Sequence, residues 1–493
     1  MKPTDNGTLA APPMWIAALA NLALALLQLL LFFPIVSEGR SLDLPIWPSA
    51  YFEPLFRVDG LSLTFGVAWA LAAALAATSL RHAERAWPLL NVLACLISVG
   101  LLLVAYARHP LVLYLGWETA GLGLWLSLRS LREGGAPRWL PLVLHLPGVS
   151  LLLLILIGAV YPFAPPFGGA GQQWALPVVM AFALVVLLRS GCWPFGGWLR
   201  EVERASGGKG TPLLGLYAMA APYLLAKALV AAPWDALGIW VLTLSGTVVL
   251  AGSVATAVLT RTTYISVAAG AYTGAALIGF ALAPGAPLAA AGAVAILLSG
   301  VLWLAAWAGV SDISATYRAP MLLMGAVPGV WLIAQGALSL RYGLAAAILL
   351  PAMLLAALAA GPTWVSLKLR HTKAKLPDTT PPPLTHHASR ITYHPPPIIA
   401  IILLLLSALY PQVAVEGVLR PVVQAMAGGV SALAGVSSDW GVGMSVMSPD
   451  GVALAALPAT GIGLAVFLAM VSLYWLKRLA ARLLRRHAGP APE

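Results

Sequence analysis

The chain has 493 residues, of which 60% are hydrophobic and only 9% are charged, and its formal net charge is +11. A soluble domain carries roughly a quarter charged residues, so a chain this apolar could not cover itself with polar surface in water. The basic residues are distributed between apolar runs, and this pattern argues against nucleic acid as a partner and favours the lipid bilayer.

Fourteen apolar runs predict about 14 transmembrane helices, because about twenty helical residues cross the hydrocarbon core. The runs lack the alternation of barrel strands, so the expected class is an all-α polytopic integral membrane protein. In chain order the predicted spans are 14–36, 61–80, 87–107, 110–128, 138–161, 174–199, 212–231, 236–259, 263–283, 286–309, 319–338, 343–366, 397–412 and 452–476.

The orientation of the chain in the membrane is predicted from the Lys and Arg residues of its loops. Most of the 28 Lys and Arg residues fall on the side that holds both predicted termini. Cytoplasmic loops carry the Lys/Arg excess, so both termini are expected in the cytoplasm and the chain in the inner (plasma) membrane.

Four parts of the chain differ in composition. They are an N-terminal span with its outer loop (1–55), a helical core (56–366), a basic Pro/His-rich cytoplasmic linker (367–396), and the C-terminal spans with a basic tail (397–493). The linker histidines His386, His387 and His394 have no accompanying Cys or carboxylate cluster, which favours a solvated linker over a metal site. We therefore expect no metal and no cofactor.

Ionisable residues inside predicted spans are costly and are candidates for function. Glu118 is the clearest, since it lies near the middle of its span; the alternative is a structural, neutral carboxyl between helices. Arg189 is its obvious partner, and lies mid-span if that helix continues to Leu199. His145 suits either a proton path or a satisfied polar group. Lys227 is expected to reach the outer surface along its own stem, as long cationic side chains do.

Proline inside two predicted spans suggests broken helices. Pro222 lies in the seventh span and Pro328 in the eleventh. Such breaks lie near ion sites in transporters, although many membrane helices contain proline for no such reason.

Several segments together resemble one family. FRVDGLSLTF (56–65), YLGWETAGLGLWL (114–126), LLRSGCWPFGGWLREVE (187–203) and TPLLGLYAMAAPYLLAKAL (211–229) are similar, in this order, to conserved segments of the large antiporter-like subunits of respiratory complex I. Subunits of Mrp cation antiporters and membrane hydrogenases are related to these. PPPIIAIILLLLSALYP (395–411) resembles the start of their C-terminal part. The resemblance implies an inverted-repeat fold with broken helices, and Glu118 at the centre of a proton half-channel.

The chain also departs from this family. The resemblance places Arg189 where the family has a lysine, and guanidinium stays protonated whereas a buried ammonium can lose its proton. The histidine expected near Leu213 is absent, and Pro328 and Gly329 are adjacent where the family spaces them apart. These departures indicate a divergent member with a degenerate ion path.

The resemblance implies a proton- or cation-translocating membrane subunit of an NADH:quinone oxidoreductase-like, hydrogenase-like or Mrp-type complex, which carries no redox centre itself. Its partners would be other membrane and redox subunits. Alternatives are a non-conducting scaffold subunit, the membrane component of an inorganic-carbon uptake pair, and a stand-alone secondary transporter, of which the last is least favoured because few polar groups line the spans.

Overall fold

The computed structural model describes residues 16–38, 40–44, 54–79, 87–130, 176–205, 211–231, 234–260, 265–306, 418–426, 436–439, 443–447 and 453–455, and short pieces between 326 and 340. These parts are mostly helical. Seven stretches of helix within them are long and apolar enough to cross a membrane, so the chain is a multi-pass membrane protein.

Twelve helices are defined in the described parts. They are α1 (Ile16–Ser37), α2 (Gly60–Ser79), α3 (Trp87–Tyr106), α4 (Pro110–Ser130), α5 (Leu176–Ser190), α6 (Gly197–Ala205), α7 (Thr211–Ala218), α8 (Ala220–Ala231), α9 (Ala236–Thr260), α10 (Ile265–Leu282), α11 (Pro287–Ala306) and α12 (Arg420–Met426).

Seven predicted spans correspond to single helices, namely α1 to α4 and α9 to α11, with ends within three residues of the prediction. One prediction is wrong in part, because the helix of the span 174–199 ends at Ser190. The predicted span 212–231 is present as one stretch long enough to cross a membrane, Leu213–Val230, and it is interrupted at Met219 between α7 and α8, in the span where Pro222 suggested a break. The predicted spans 138–161, 343–366 and 397–412, and most of 319–338 and 452–476, lie outside the described residues.

A few short strands accompany the helices. An antiparallel pair joins β1 (Leu42–Leu44) to β2 (Phe56–Val58), with Asp43 opposite Arg57. A second sheet has the order β3 (Val436–Asp439), β4 (Gly443–Met447), β5 (Ala453–Ala455), so the predicted span 452–476 is wrong at its first residues. Strands of three to five residues are too short to show the alternation that predicts a strand.

The core lies among α2, α8, α10 and α11, and all eighteen residues of α10 are buried. Small residues let these backbones approach: a Cβ added at Gly246 of α9 would lie 2.6 Å from the carbonyl oxygen of Gly274 in α10. Association of helices in lipid depends on such close packing, because burial of apolar surface contributes little there.

Helix α1 packs on α2 and α3 by one narrow face. Its buried residues include Asn21 and Gln28, and the Tyr106 hydroxyl donates a 2.6 Å hydrogen bond to Gln28 Oε1. The opposite face of α1 is exposed and leucine-rich, as expected of a lipid-facing helix.

Candidate functional site

Helix α5 ends immediately after Arg189, one residue later at Ser190. Gly191 follows with φ 61°, a left-handed conformation that glycine adopts without the cost of a Cβ. The chain then turns through Trp193 and Pro194, whose peptide bond is cis, and α6 begins at Gly197. The interruption places Arg189 in a last helical turn, whereas the sequence suggested a continuous helix to Leu199.

Carbonyl groups at such a helix end lose their partners within the helix. One of them, at Leu188, accepts a 3.2 Å hydrogen bond from the indole N–H of Trp198 on α6. The partial negative charge at a helix C-terminus also favours a cation, and Arg189 supplies it.

Arg189 forms an ion pair with Glu118 of α4. The two charged groups are 3.4 Å apart, between Arg189 Nη2 and Glu118 Oε1. The side chain of Arg189 is 1% exposed and that of Glu118 is 27% exposed. The predicted partners are therefore brought together, with the guanidinium inside the bundle and the carboxylate toward its surface.

Two aromatic rings complete the setting of the guanidinium. Its carbon atom Cζ lies 5.2 Å from the ring centroid of Trp117 and 5.7 Å from that of Tyr217. Cation–π contacts of this kind stabilise a cation most where water is absent. Sequence reasoning missed both rings, although Trp117 directly precedes Glu118.

Tyr217 belongs to the second interrupted helix. Helix α7 ends at Ala218 and α8 begins at Ala220, so the break lies at Met219, three residues before Pro222. Proline has no N–H to donate to the carbonyl four residues earlier, which is that of Ala218. The hydroxyl of Tyr217 is buried and has no hydrogen-bond partner among the described residues.

Lys227 lies elsewhere, at the end of the bundle where α2 begins. Its Nζ donates a 3.3 Å hydrogen bond to the carbonyl oxygen of Ala107 and lies 5.9 Å from the ring centroid of Tyr223. The expectation that Lys227 reaches the outer surface along its stem is wrong, because the residue is only 5% exposed and its ammonium is held by protein.

About ten helical residues separate Tyr217 from Lys227, or about 15 Å along the axis at 1.5 Å per residue. The structure thus brings Glu118 and Arg189 together and leaves Lys227 at a separate site. His145 and Pro328 lie outside the described residues. Within the described residues, no group of three or more His, Cys, Asp or Glu side chains is placed to hold a metal ion.

The pair can do limited chemistry. Guanidinium remains protonated at any accessible pH, so Arg189 can hold and attract negative charge but cannot pass on a proton. Glu118 can exist with or without its proton. The ion pair is therefore one fixed cation beside one titratable acid.

No protein-family model and no curated protein sequence matches this chain. Solved structures do match in fold. A chain of the Mrp complex from Dietzia sp. DQ12-45-1b has a TM-score of 0.67 and 16% identity, over 84% of this chain and 92% of that chain. A chain of respiratory complex I from Thermus thermophilus with bound NADH has a TM-score of 0.63 and 20% identity, over 85% of this chain and 96% of that one.

A third likeness is to a chain of the membrane-bound sulfane sulfur reductase, an archaeal respiratory membrane complex. Its TM-score is 0.60 and its identity 15%, over 98% of this chain and 83% of that chain. The low identities fit a divergent chain. The resemblance in the sequence is confirmed as one of fold: this chain has the fold of the antiporter-like membrane subunits.

Proposed function

We propose that the chain is a proton- or cation-translocating membrane subunit of a multi-subunit energy-converting complex, and that Glu118 is its ion-exchanging group. The observation that carries the proposal is the Glu118–Arg189 pair at an interrupted helix. Ionisable groups are expensive inside a membrane, so such a pair is a candidate functional site.

The proposal gives the two residues different roles. Arg189 is a fixed counter-charge, held by a helix C-terminus and two aromatic rings, and its field favours the ionised carboxylate. Protonation of Glu118 removes the attraction between the two side chains. Loading and unloading of one proton at Glu118 thus changes the charge balance of the site.

Further parts of the proposal concern the whole chain. It has about fourteen spans in an inverted-repeat arrangement with both termini in the cytoplasm, in the inner membrane. Other membrane and redox subunits are its partners, as the solved complexes of similar fold are multi-subunit. We also propose the division of the chain into the four parts that its composition predicts: 1–55, 56–366, 367–396 and 397–493.

The test is ion transport by the purified complex in vesicles. Glu118→Gln keeps the size of the side chain and removes its charge and its proton exchange, so coupled transport should decrease at least about tenfold. Glu201→Gln, at an exposed position on α6, is the matched control and should leave transport unchanged. Transport by Glu118→Gln at the wild-type rate, with partners still bound, would contradict the proposal.

A second candidate is a non-conducting scaffold subunit, and the permanently charged Arg189 favours it. A fixed cation that holds a carboxylate is also a way to lock two helices together. The scaffold predicts that Glu118→Gln leaves transport intact while deletion of the whole chain dissociates the complex. Mass spectrometry of the proteins that co-purify in mild detergent identifies those partners.

A further inference from the structure

A second buried cation lies at the end of the bundle where α2 begins, and the ion pair does not use it. Lys227 has three N–H donors, of which the structure assigns one to the carbonyl oxygen of Ala107. The ring of Tyr223 lies beside the ammonium. Among the described residues no carboxylate forms an ion pair with Lys227.

The nearby acid is Asp59, and it is committed to other groups. Asp59 Oδ1 accepts a 2.8 Å hydrogen bond from the backbone N–H of Ser62, which caps α2. Asp59 Oδ2 lies 3.7 Å from Arg57 Nε. No ion pair joins Asp59 to the Lys227 ammonium among the described residues.

Other titratable groups on the surrounding helices are few. Helix α8, which carries Lys227, packs on α5, α7, α10, α11 and α12. In the described side chains of these helices, the charged or phenolic groups are Arg189 on α5, Tyr217 on α7 and Tyr272 on α10. Tyr106 lies across from α8 on α3 and donates its hydroxyl to α1.

The Lys227 site is covered by helices on the side of the bundle and is partly exposed beside Arg57. Helix α12 packs over the start of α2, where a Cβ added at Gly60 would lie 2.2 Å from the carbonyl oxygen of Pro421. Asp59 is buried, whereas the side chain of Arg57 is 28% exposed, so the cluster reaches solvent beside Arg57. The charge distribution in the sequence predicts that this side is the outer one.

We propose that Lys227 is a second proton-exchange site, at the Asp59 end of the bundle; the inference rests on the proposed function as an ion-translocating subunit. One N–H bond of the ammonium breaks, its electron pair stays on Nζ, and the proton passes to water, which leaves a neutral amine and hydronium. The reverse step reloads the site. Lysine can exchange a proton in this way and arginine cannot, so Arg189 does not supply this step.

The test uses the whole complex in vesicles, with the pH varied on the Asp59 side. Lys227→Arg keeps the positive charge and removes the exchange, so transport should decrease about tenfold or more while the partners remain bound. Lys227→Gln should remove the limb of the pH profile that the wild-type complex shows on this side. Glu201→Gln, at an exposed position on α6, is the control and should keep that limb.

Two outcomes overturn the inference: wild-type transport by Lys227→Arg, or an unchanged pH limb in Lys227→Gln. If the larger arginine prevents assembly, the pH profile of Lys227→Gln decides alone. Failure of the proposed function looks different, because Glu118→Gln is then as active as the wild type. Impaired transport in Glu118→Gln with normal transport in Lys227→Arg contradicts only the role of Lys227.

Discussion

Removal of either member of the Glu118–Arg189 pair should destabilise the chain, and by unequal amounts. At the 3.4 Å separation, Coulomb's law with an effective dielectric constant of about 20 gives an attraction of about 5 kcal/mol. Breaking a buried pair costs about 3–5 kcal/mol, and the 27% exposure of Glu118 allows water to screen part of this.

The two single variants leave different groups behind. Glu118→Gln leaves the buried guanidinium charged, because it cannot lose its proton, and should cost about 3–4 kcal/mol. Arg189→Gln leaves a partly exposed carboxylate that can take up a proton, and should cost about 2 kcal/mol. The double variant contains two neutral amides and should cost less than Glu118→Gln alone.

The assay is unfolding of the purified chain, with its partners, in detergent micelles of constant composition. Arg129→Gln is a matched control, since Arg129 also lies in the last turn of a membrane helix, 5.6 Å from a Trp ring, but is exposed. It should change the free energy of unfolding by about 0.5 kcal/mol or less. Additive losses in the double variant would refute the pairing and the argument from burial.

Two further substitutions test packing at the Asp59 end of the bundle. Gly60→Ala should destabilise the chain by about 1–3 kcal/mol, because the new Cβ would meet the backbone of Pro421. Gly197 is also the first residue of a helix, but a Cβ added there has nothing within 4 Å, so Gly197→Ala should be tolerated. The measurement is the thermal unfolding of the two variants. Tyr106→Phe removes the hydrogen bond to Gln28 and should cost about 1 kcal/mol, with faster proteolysis of α1 as the measurement.

The sequence predicted helices best where an apolar run was long and unbroken. Helices α1 to α4 and α9 to α11 follow such runs, because lipid requires each span to satisfy its own backbone groups. The pairing of Glu118 with Arg189 was also predictable: two opposite charges in different spans lower their cost by meeting.

The interruptions were less predictable. Gly191 and Pro194 both disfavour a continuous helix, yet the surrounding run is apolar enough to suggest a helix that continues to Leu199. The break at Met219 precedes Pro222 by three residues, since proline acts on a carbonyl of the preceding turn. The carbonyl of Leu188 accepts a hydrogen bond from Trp198 instead of from its own helix. Such a replacement depends on tertiary contacts, which the local sequence does not show.

The placement of Lys227 shows what helical position alone cannot determine. A lysine near the end of a span has a stem long enough to reach the interface, and an isolated helix would present it there. Here Ala107, the residue after α3, supplies a carbonyl and Tyr223 supplies a ring, so the ammonium stays inside. Tyr223 lies four residues before Lys227 on the same helix, so that contact follows from helical spacing. The contact with Ala107 is not visible from the residues next to Lys227.

The described part of the chain therefore holds two buried cations of different chemical character on neighbouring helices. Arg189 has a carboxylate, a helix C-terminus and two rings, which suits a charge that never changes. Lys227 has a carbonyl and one ring, and Asp59, at the same end of the bundle, is committed to Arg57 and the cap of α2. A cation without a bound counter-charge changes its protonation with less loss of bonding than a paired one does, because no ion pair is broken. If this chain exchanges protons through a basic group, the structure therefore favours Lys227 over Arg189. Glu118, the acid beside Arg189, is then the second group that can gain and lose a proton.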